Sequence, residues 1–521
     1  MMLSALLFFP LLAALIVLIL PNDKSVRWGA TGLSLIQFVL SLNLLFKFDS
    51  STTALQFVEK TPWIKSFGIN YFVGLDGISL WLVVLTCFLV PIIVVGSWAA
   101  IDKKVKSFHV SLFVLQTAML GTFLSMDMVL FYTFWELSLV PMYFMVGIWG
   151  GANRLYATVK FFIFTMAGSV FMLIAAITLI YMTKAQLGYF SASIPDFYKL
   201  SIPFISGSFM SPQTLMFVAF CLAFAIKVPM FPVHTWLPDA HTEAPTPGSI
   251  ILAGVMLKMG TYGFMRFSIP MFPDAVQEYS WVFLFLGVVG MIYGSLIAMV
   301  QTDIKKLVAY SSVAHMGYVV LGLFALNEYG LNGALYQMLN HGISTGALFL
   351  LVGIIYERTH SREIAKYGGL AKVMPIFTIC FFIITLSSIA VPGTNGFIGE
   401  FLILMGTFIA HKGFGIAAVV GVVLGAAYML WMFKRVFFGQ EGEIVTKYRE
   451  AGKLNDLNPR EFGLMAILIV MVFWMGIFPN HFLSKSKVSV DHLNNNYKSY
   501  DLSYKADSTS LMQTASVEEA Q

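Results

Sequence analysis

Apolar residues run along most of this chain in long continuous stretches, with short polar loops between them. Fourteen stretches are long enough to cross a bilayer. No alternation typical of strands accompanies them, which favours helices over a barrel. The approximate limits are 2–20, 28–47, 78–100, 107–125, 127–149, 158–182, 213–238, 246–268, 279–301, 304–326, 330–356, 374–410, 414–438 and 462–479. The pattern therefore predicts an all-α membrane protein with about 14 transmembrane helices.

Composition agrees with this pattern. The 521 residues are 58% hydrophobic and only 11% charged, whereas a soluble domain carries about 25% charge. The first stretch lacks a basic leader and a small-residue cleavage site, so we expect it to be retained as a span. The cysteines at 87, 221 and 380 lie in separate apolar stretches, without metal or disulfide spacing, and we interpret them as packing residues.

Lysines and arginines concentrate in the loops on one side of the predicted membrane. That side, called the basic face below, carries 19 of them, at positions 24, 27, 103, 104, 106, 154, 160, 305, 306, 358, 362, 366, 372, 434, 435, 447, 449, 453 and 460. The opposite face has seven before the tail, at 47, 60, 65, 184, 199, 266 and 412. This bias places the basic face in the cytoplasm or the mitochondrial matrix. Both termini then lie on the opposite face, and the number of spans is even.

Two of the spans contain helix-breaking residues. The seventh is interrupted near Pro229 and Pro232, and the twelfth near Pro392 and Gly393. The two breaks are five spans apart, and an odd offset makes equivalent helices run in opposite directions. We therefore expect two inverted five-helix repeats, spans 4–8 and 9–13, each with a broken helix. Prolines that merely kink apolar helices are the alternative.

The predicted organisation has four parts. Residues 1–106 hold the first three spans, 107–268 the first repeat and 279–438 the second repeat. Residues 439–521 hold a loop on the basic face, the fourteenth span and a polar tail. We expect the tail to be flexible from Asn480 onward.

Four ionisable residues lie near the middle of predicted spans: Glu136, Lys227, Lys258 and Glu400. At about 1.5 Å per residue, Glu136, Lys258 and Glu400 each lie roughly 14 Å from a span end. A charge at the centre of a helix in a bilayer costs a few kcal/mol. Two acids and two bases at that depth indicate a path for charge, and a proton is the simplest cargo.

Glu136 and Lys227 are candidate partners. Together they could both stay charged, and opening the pair would make Lys227 a better acid. A static salt bridge between the fifth and seventh spans is the alternative, but the break beside Lys227 favours a functional role because unwound backbone admits water.

Lys258 has no opposite charge near it in the sequence, and glycines at 254, 260 and 263 flank it. We assign it the role of central proton carrier; the alternative is a lysine bonded to backbone carbonyls at a helix break. Glu400 follows the second break and is assigned to proton exit. Alternatively, it could partner a basic residue of another span.

His315 and His341 lie among hydroxyl and amide residues that can hold water. Imidazole exchanges protons near neutral pH, so both are candidate relays, although a buried core histidine is the alternative.

A further polar cluster comprises His234, Asp239, His241 and Glu243. Prolines at 238, 245 and 247 indicate an irregular loop on the basic face, near the point of proton uptake, and the ligand order is not that of a metal site. The sequence has no Gly-rich phosphate loop, haem ligation pattern or iron–sulfur run. We therefore expect no cofactor in this chain.

Several motifs together resemble the antiporter-like subunits of respiratory complex I, over nearly the whole chain. They are the segments at 134–137 (Phe-Trp-Glu-Leu), 227–229 (Lys-Val-Pro), 234–241 (His-Thr-Trp-Leu-Pro-Asp-Ala-His), 257–260 (Leu-Lys-Met-Gly) and 303–317. A glutamate at Glu400, where the sister subunits usually carry lysine, points to one of three paralogous branches. No segment resembles the long lateral helix of the largest sister subunit.

The resemblance implies a proton-translocating subunit that works beside two paralogous antiporter-like subunits and other membrane-arm subunits. FMN, iron–sulfur clusters and quinone are expected in other subunits. It also implies that Glu136 and Lys227 are the paired charges, Lys258 the central lysine and Glu400 the terminal charge. The expected location is the bacterial inner membrane, with the mitochondrial inner membrane as the alternative, and no nucleic-acid partner is expected.

Three alternatives remain open at this stage. The chain could belong to a sodium/proton antiporter, it could be a structural membrane subunit without its own proton path, or it could serve a hydrogenase complex.

Overall fold

The structure is a computed structural model, and it describes residues 1–497. Helices account for most of this range. The first part holds α1 (Met2–Ile19), α2 (Asp23–Lys47), β1 (Gln56–Ile64), β2 (Ile69–Leu75), α3 (Gly77–Ala100), α4 (Val105–Leu124), α5 (Met128–Leu137), α6 (Leu139–Trp149), α7 (Arg154–Leu187), α8 (Ile194–Phe197), α9 (Pro212–Lys227) and α10 (Trp236–Glu243).

The second part begins with one long helix built from α11 (Thr246–Ile251), a π-helical segment at Leu252–Met256, α12 (Leu257–Gly263), a second π-helical segment at Phe264–Ser268 and α13 (Ile269–Met271). The remaining helices are α14 (Pro273–Met299), α15 (Ile304–Phe324), α16 (Glu328–Thr359), α17 (Leu370–Val373), α18 (Pro375–Ser388), α19 (Asn395–Ala410), α20 (Lys412–Phe437), α21 (Glu443–Glu450), α22 (Pro459–Ile477) and α23 (480–497). Short 3₁₀ turns occupy Lys65–Phe67 and Ile364–Lys366.

Within residues 1–497, twelve helices are long and apolar enough to cross a membrane, and three shorter apolar helices accompany them. The chain is thus an all-helical membrane protein apart from one hairpin. The count of fourteen spans requires the three shorter helices, α9, α18 and α19, to form two more. That count and the inverted repeats stay predictions.

Aspartates define where several spans begin. The Asp127 carboxylate accepts hydrogen bonds from the backbone N–H groups of Val129 and Leu130 at the start of α5. Asp303 does the same for Lys305 and Lys306 at the start of α15. A carboxylate at this position satisfies N–H groups that have no partner within the helix, so each cap fixes the register of its span.

Both predicted helix breaks are present. Helix α9 ends at Lys227, and turns cover 228–235 before α10 begins. Helix α18 ends at Ser388, and α19 begins at Asn395 after an interruption that contains Gly393 at φ 91°. The first break therefore leaves Lys227 at the last position of a helix, and Glu400 lies in the second turn of the helix that follows the second break.

The chain departs from the sequence prediction in the β1–β2 hairpin. The two strands pair antiparallel, with register shifts between Gln56 and Glu59 and between Pro62 and Ile64. Such irregularities insert extra residues and blur the alternation that marks a strand. The expectation of helices alone is wrong here for that reason.

The polar tail also differs from expectation. Residues 480–497 form α23, which packs against the start of α3: the Trp81 indole donates to the Phe482 carbonyl at 2.9 Å, and the Gly77 N–H donates to Ser489 Oγ at 3.0 Å. Apolar residues at 482, 490 and 493 are buried beneath its polar surface. The predicted flexibility is therefore wrong for this helix, and the rest of the predicted tail lies outside the described residues.

Burial separates the spans into two groups. Helices α15 and α16 and the long helix at 246–271 are buried nearly throughout, whereas most of α1, α2, α20 and α22 faces outward. The inner group carries Lys258, His315 and His341, so these polar side chains lie in the protein interior and not against lipid.

Candidate functional site

Lys258 lies at the centre of the molecule, on α12. Its side chain is fully buried. The ammonium donates to the carbonyl of Ala253, within the first π-helical segment, and Lys258 Nζ lies 2.6 Å from Nδ1 of His341. Single-turn π segments are frequent at functional sites. Lys258 thus contacts both a backbone carbonyl and a titratable ring, and its role as a proton carrier stays a prediction.

The contact continues from His341 to Glu400. The rings of His341 and His315 have centroids 5.9 Å apart. His315 Nδ1 lies 3.1 Å from Oε1 of Glu400, and the Gln337 amide donates to the same oxygen at 3.1 Å. All of these side chains are buried. Helices α12, α15, α16 and α19 therefore bring four predicted site residues, Lys258, His341, His315 and Glu400, into one connected series.

A small cavity lies between the two histidine rings. Its volume is about 10 Å³, close to the minimum that holds one water molecule. Its walls are His315, Gln337, Asn340, His341, Ser344, Thr345, Ser387, Ser388 and Gly396. A polar space of this size can connect the rings by a single bridging water.

Hydroxyl and amide groups at the second helix break lie beside His315 and form hydrogen bonds with one another. Ser388 Oγ lies 3.3 Å from Nε2 of His315. Ser344 and Ser387 are joined at 2.5 Å, and Ser387 donates to Asn395 Oδ1 at 2.6 Å. The residues that flank the break were not among the predicted site residues, although hydroxyls in an apolar span were a signal.

One face of α16 supplies the remaining polar groups. Gln337, Asn340, His341 and Ser344 are all buried and recur at a spacing of three to four residues, which places them on one side of a helix. This spacing was visible in the sequence and explains why His341 faces the interior.

Lys227 is held away from Glu136. Its ammonium donates to Ser138 Oγ at 3.2 Å and lies 4.9 Å from the centroid of the Trp135 ring, a cation–π contact. Glu136 lies within electrostatic range. Neither carboxylate oxygen of Glu136 lies within 4.0 Å of the Lys227 ammonium, so the two do not form an ion pair. Glu136 Oε1 is buried, and it has no hydrogen-bond partner among residues 1–497. The expected direct ion pair between Glu136 and Lys227 is not formed in this conformation. The Lys227 ammonium instead donates to Ser138, at the α5–α6 junction.

Close packing joins Lys227 to the Lys258 helix. A Cβ atom at Gly260 would lie 2.8 Å from the Phe224 carbonyl and 3.1 Å from Cβ of Lys227. Only glycine permits this approach of α9 and α12. The end of the broken helix therefore lies within one helical turn of the central lysine.

Three of the four residues of the cluster near the basic face are helical, and His234 lies in the turns before them. His241 and Glu243 lie on α10, so the predicted irregular loop is wrong for this stretch, and the turns that were expected lie before it, at 228–235. Asp239 forms an ion pair with Lys160 at 2.7 Å. Among residues 1–497, no group of three or more His, Cys, Asp or Glu side chains is arranged to hold a metal ion.

Another buried ion pair was not expected from the sequence. Arg266 pairs with Asp76 at 2.7 Å, and its Nε donates to the Tyr262 hydroxyl at 3.0 Å. Arg266 was expected in a loop on the opposite face. The π-helical segment that contains it turns the side chain inward, towards the start of α3.

Family comparisons cover nearly the whole described chain. Residues 125–425 match the model of the NADH:quinone oxidoreductase/Mrp antiporter transmembrane family. Residues 2–127 match the amino terminus of NADH-ubiquinone oxidoreductase chain 4.

Curated relatives give the same assignment. NADH-quinone oxidoreductase subunit M of Rhodobacter capsulatus is 44% identical over 504 residues, which cover 95% of this chain and 97% of that protein. NADH-ubiquinone oxidoreductase chain 4 of Marchantia polymorpha is 42% identical over 494 residues, or 94% of this chain and 96% of that protein.

A solved structure supports the fold. A chain of respiratory complex I from Thermus thermophilus with bound NADH superposes with a TM-score of 0.85 at 28% identity, and the match covers 95% of this chain and 100% of that one. The resemblance inferred from the motifs is thereby confirmed, including the branch indicated by Glu400. The chain belongs to the subunit M family of NADH-quinone oxidoreductase, whose members are called chain 4 in NADH-ubiquinone oxidoreductase.

Proposed function

We propose that this chain carries protons through the membrane arm of NADH-quinone oxidoreductase along Lys258, His341, His315 and Glu400. The observation that supports this most directly is the series of contacts between the four residues in an otherwise apolar interior. Each neighbour in the series is either in hydrogen-bond contact or separated by a cavity that holds about one water. A proton can therefore move from group to group without crossing hydrocarbon.

Each residue has a distinct part in the transfer. Lys258 gives its proton to Nδ1 of His341 and is recharged from the basic face. The imidazole rings bind a proton at one nitrogen and release it from the other. Glu400 accepts the proton from His315, while the Gln337 amide orients the Glu400 carboxylate. Glu400 then releases the proton from the second turn of α19, the helix that follows the break at 389–394.

Glu136 and Lys227 act as the switch for this path. With Lys227 bound to Ser138, Glu136 carries a buried oxygen that lacks a partner. Movement of Lys227 to Glu136 would close an ion pair and remove positive charge from the neighbourhood of Lys258. Because α9 ends at Lys227, the backbone that follows the lysine is not helical, which favours such a movement.

The finer architecture is part of the proposal. Counting α9 with α10 as one span and α18 with α19 as another adds two spans to the twelve long helices and gives fourteen. Spans 4–8 and 9–13 then form the two inverted repeats, with one broken helix in each.

The assembly follows from the family. Electron transfer through FMN and iron–sulfur clusters to quinone takes place in other subunits, and this chain supplies the proton path. Two paralogous antiporter-like subunits are its proposed neighbours in the membrane arm. The bacterial relatives support a plasma-membrane location, and the plant relative leaves the mitochondrial inner membrane as the alternative.

Proton pumping by variants of the intact complex tests the proposal. Lys258→Met removes the central charge at similar side-chain length, and Glu136→Gln removes the switch carboxylate. Both should abolish or strongly reduce NADH-driven proton uptake into proteoliposomes. Lys372→Met, at an exposed lysine of the basic face, is the matched control. Unchanged uptake in both Lys258→Met and Glu136→Gln would refute the proposal.

Sodium/proton exchange is a second candidate, because the matching family model also describes Mrp antiporters. It predicts sodium-driven proton movement in vesicles that contain this chain and have no NADH oxidation. Absence of such movement, with NADH-driven pumping intact, favours the first function.

A further inference from the structure

We propose that one anionic phospholipid binds in the groove between α2 and α22, with an acyl chain along the apolar walls and the phosphate at His481 and Lys485 of α23. The inference concerns lipid binding and does not depend on the proton path proposed above. The occupant is named by its chemistry, a hydrocarbon chain that ends in a negatively charged headgroup.

The groove has the size and depth of an acyl-chain site. Its volume is about 530 Å³, within the roughly 300–1,000 Å³ of typical ligand sites. On α2 the wall runs from Phe38 to Phe46, which is about 12 Å at the rise of an α-helix. Half of the hydrocarbon core of a bilayer is about 15 Å thick. The groove therefore spans most of one leaflet, on the side of the membrane opposite to the basic face.

The walls of the groove are almost entirely apolar. Of the 16 residues that line it, only His481 and Lys485 have ionisable side chains. Lys485 lies at the end where α2 finishes, because its ammonium donates to the carbonyl of Phe48 directly after that helix. An apolar wall with polar groups at one end complements a lipid in a single orientation.

The floor of the groove is formed by packed side chains. Leu85 of α3 and Leu339 and Ile343 of α16 are each 5% exposed or less, and the close-packed interior behind them prevents collapse. A transmembrane helix is about 10 Å across and about 30 Å long, several times larger than this space. An acyl chain therefore fits the groove, whereas a helix from another subunit does not.

Aromatic rings hold the headgroup end of the groove in place. The Phe482 ring of α23 lies 4.9 Å from the Trp81 ring and 5.4 Å from the Trp474 ring, measured between centroids. Trp474 is 45% exposed, and tryptophan is enriched at the boundary between membrane and water. These rings therefore lie at the level expected for lipid headgroups.

Lys485 has hydrogen atoms available for a phosphate. Its ammonium carries three, of which one is donated to the Phe48 carbonyl at 3.4 Å, and it forms no ion pair among residues 1–497. Asp49 lies within electrostatic range of Lys485, but its carboxylate accepts from the N–H and the hydroxyl of Ser51 at 2.9 and 2.6 Å. Lysine is a common phosphate ligand in proteins.

His481 provides a second donor. It lies four residues before Lys485, on the same side of α23. The Trp474 indole donates to Nδ1 of His481 at 3.1 Å, so the neutral ring carries its hydrogen on Nε2. A phosphate between the two side chains would accept from the Nε2–H and from the ammonium. A zwitterionic headgroup would bring its own ammonium towards Lys485, which favours an anionic headgroup.

Photo-crosslinking in the intact complex tests the site. Phe46→p-benzoyl-phenylalanine places a photoreactive ring on the wall of the groove. The same substitution at Leu35 is the matched control, because Leu35 lies on the same helix, is 48% exposed and does not line the groove. The complex is irradiated in vesicles of equal phosphatidylethanolamine and phosphatidylglycerol, and the adduct masses are measured.

The ratio of phosphatidylglycerol to phosphatidylethanolamine adducts should be about fivefold higher at position 46 than at 35, since one basic residue at a membrane surface favours an anionic lipid by about that factor. Lys485→Met should lower the ratio at 46 to the ratio at 35. Lys412→Met, at an exposed lysine of the same face outside the groove, should leave it unchanged.

A groove-filling variant gives a second measurement. Leu42→Trp adds volume at the wall of the groove, and it should remove the phospholipid that survives exhaustive detergent washing of the unaltered complex. Leu35→Trp should retain that lipid. Should Leu42→Trp fail to assemble, the effect of Lys485→Met on the adduct ratio decides alone.

Equal adduct ratios at positions 46 and 35, or a ratio that Lys485→Met does not change, would overturn the lipid site. Adducts between position 46 and another subunit would show that protein covers the groove, and would overturn it as well. None of these measurements requires proton uptake, so a failure of the proposed function leaves their result intact.

Discussion

A methyl group at Gly399 should disconnect the amide that orients Glu400. A Cβ atom there would lie 2.5 Å from Oε1 of Gln337 and 2.7 Å from Nδ2 of Asn340. It would also lie 3.1 Å from Cα of Gln337, so the backbone of α16 limits any retreat. The Gln337 side chain must therefore leave its 3.1 Å bond to Glu400.

The magnitude follows from that lost bond. A hydrogen bond to a charged group contributes about 1.5–3 kcal/mol, and each 1.4 kcal/mol is a factor of ten. Misplacing the carboxylate of Glu400 should therefore slow its proton transfer by about 10- to 150-fold. Overpacking between α16 and α19 adds about 1–3 kcal/mol of destabilisation.

The assay is NADH-driven proton uptake by purified complex in proteoliposomes, normalised to assembled complex. Gly425→Ala is the control, because nothing lies within 4 Å of its added Cβ. Gly399→Ala pumping at the level of that control would refute the reasoning. If Gly399→Ala does not assemble, Gln337→Leu removes the same bond without adding volume near α19 and should give the same loss.

Three other predictions concern contacts away from the central series. Asp76→Asn should destabilise the purified complex by about 3–5 kcal/mol in thermal unfolding, because the buried charge of Arg266 loses its partner. Adding Arg266→Met should restore part of the lost stability, and no recovery would contradict this account. Phe482→Ala should cost about 3–5 kcal/mol of stability, and an unchanged unfolding temperature would show that α23 does not support the fold. Ser138→Ala removes the hydroxyl that bonds Lys227. The free-energy difference between the two positions of Lys227 should shift by about 1.5–3 kcal/mol towards the ion pair with Glu136. Unaltered proton uptake would argue against a switch formed by these residues.

The spans and their interruptions were predictable because they depend on local chemistry. Proline lacks an N–H group and disfavours a continuing helix, and Pro229, Pro232 and Pro392 each lie in an observed break, whereas Pro91 lies inside the continuous α3. Continuous apolar stretches gave span limits within a few residues of the helices; for example, the stretch at 246–268 is the helix at 246–271.

Contacts between distant parts of the chain were not predictable in the same way. Lys258 and His341 are 83 residues apart, and His315 and Glu400 are 85 apart. Sequence identified each as a candidate, but only tertiary structure shows that they meet. The π-helical segment before Lys258 also has no composition of its own, because the same residues fit an ordinary α-helix.

The errors have physical causes as well. Proline was taken to disrupt the segment around Pro238, yet proline is tolerated in the first turn of a helix, and α10 begins at Trp236. Asn480 begins a stretch that is polar on average, but Phe482, Val490 and Leu493 are buried, and Phe482 contacts the start of α3. In both cases, position within the helix decided the structure and average composition did not.

If Lys258 carries protons as proposed, its two contacts would let it do so without moving. A charged ammonium donates one hydrogen to the Ala253 carbonyl and another to Nδ1 of His341. After the second hydrogen has crossed to the ring, the neutral amine still donates to the carbonyl and offers its lone pair to the new N–H. The nitrogen would stay in the same place in both states, so the proposed proton transfer would pass through a stationary side chain, and its timing would depend on movement elsewhere, such as that proposed for Lys227.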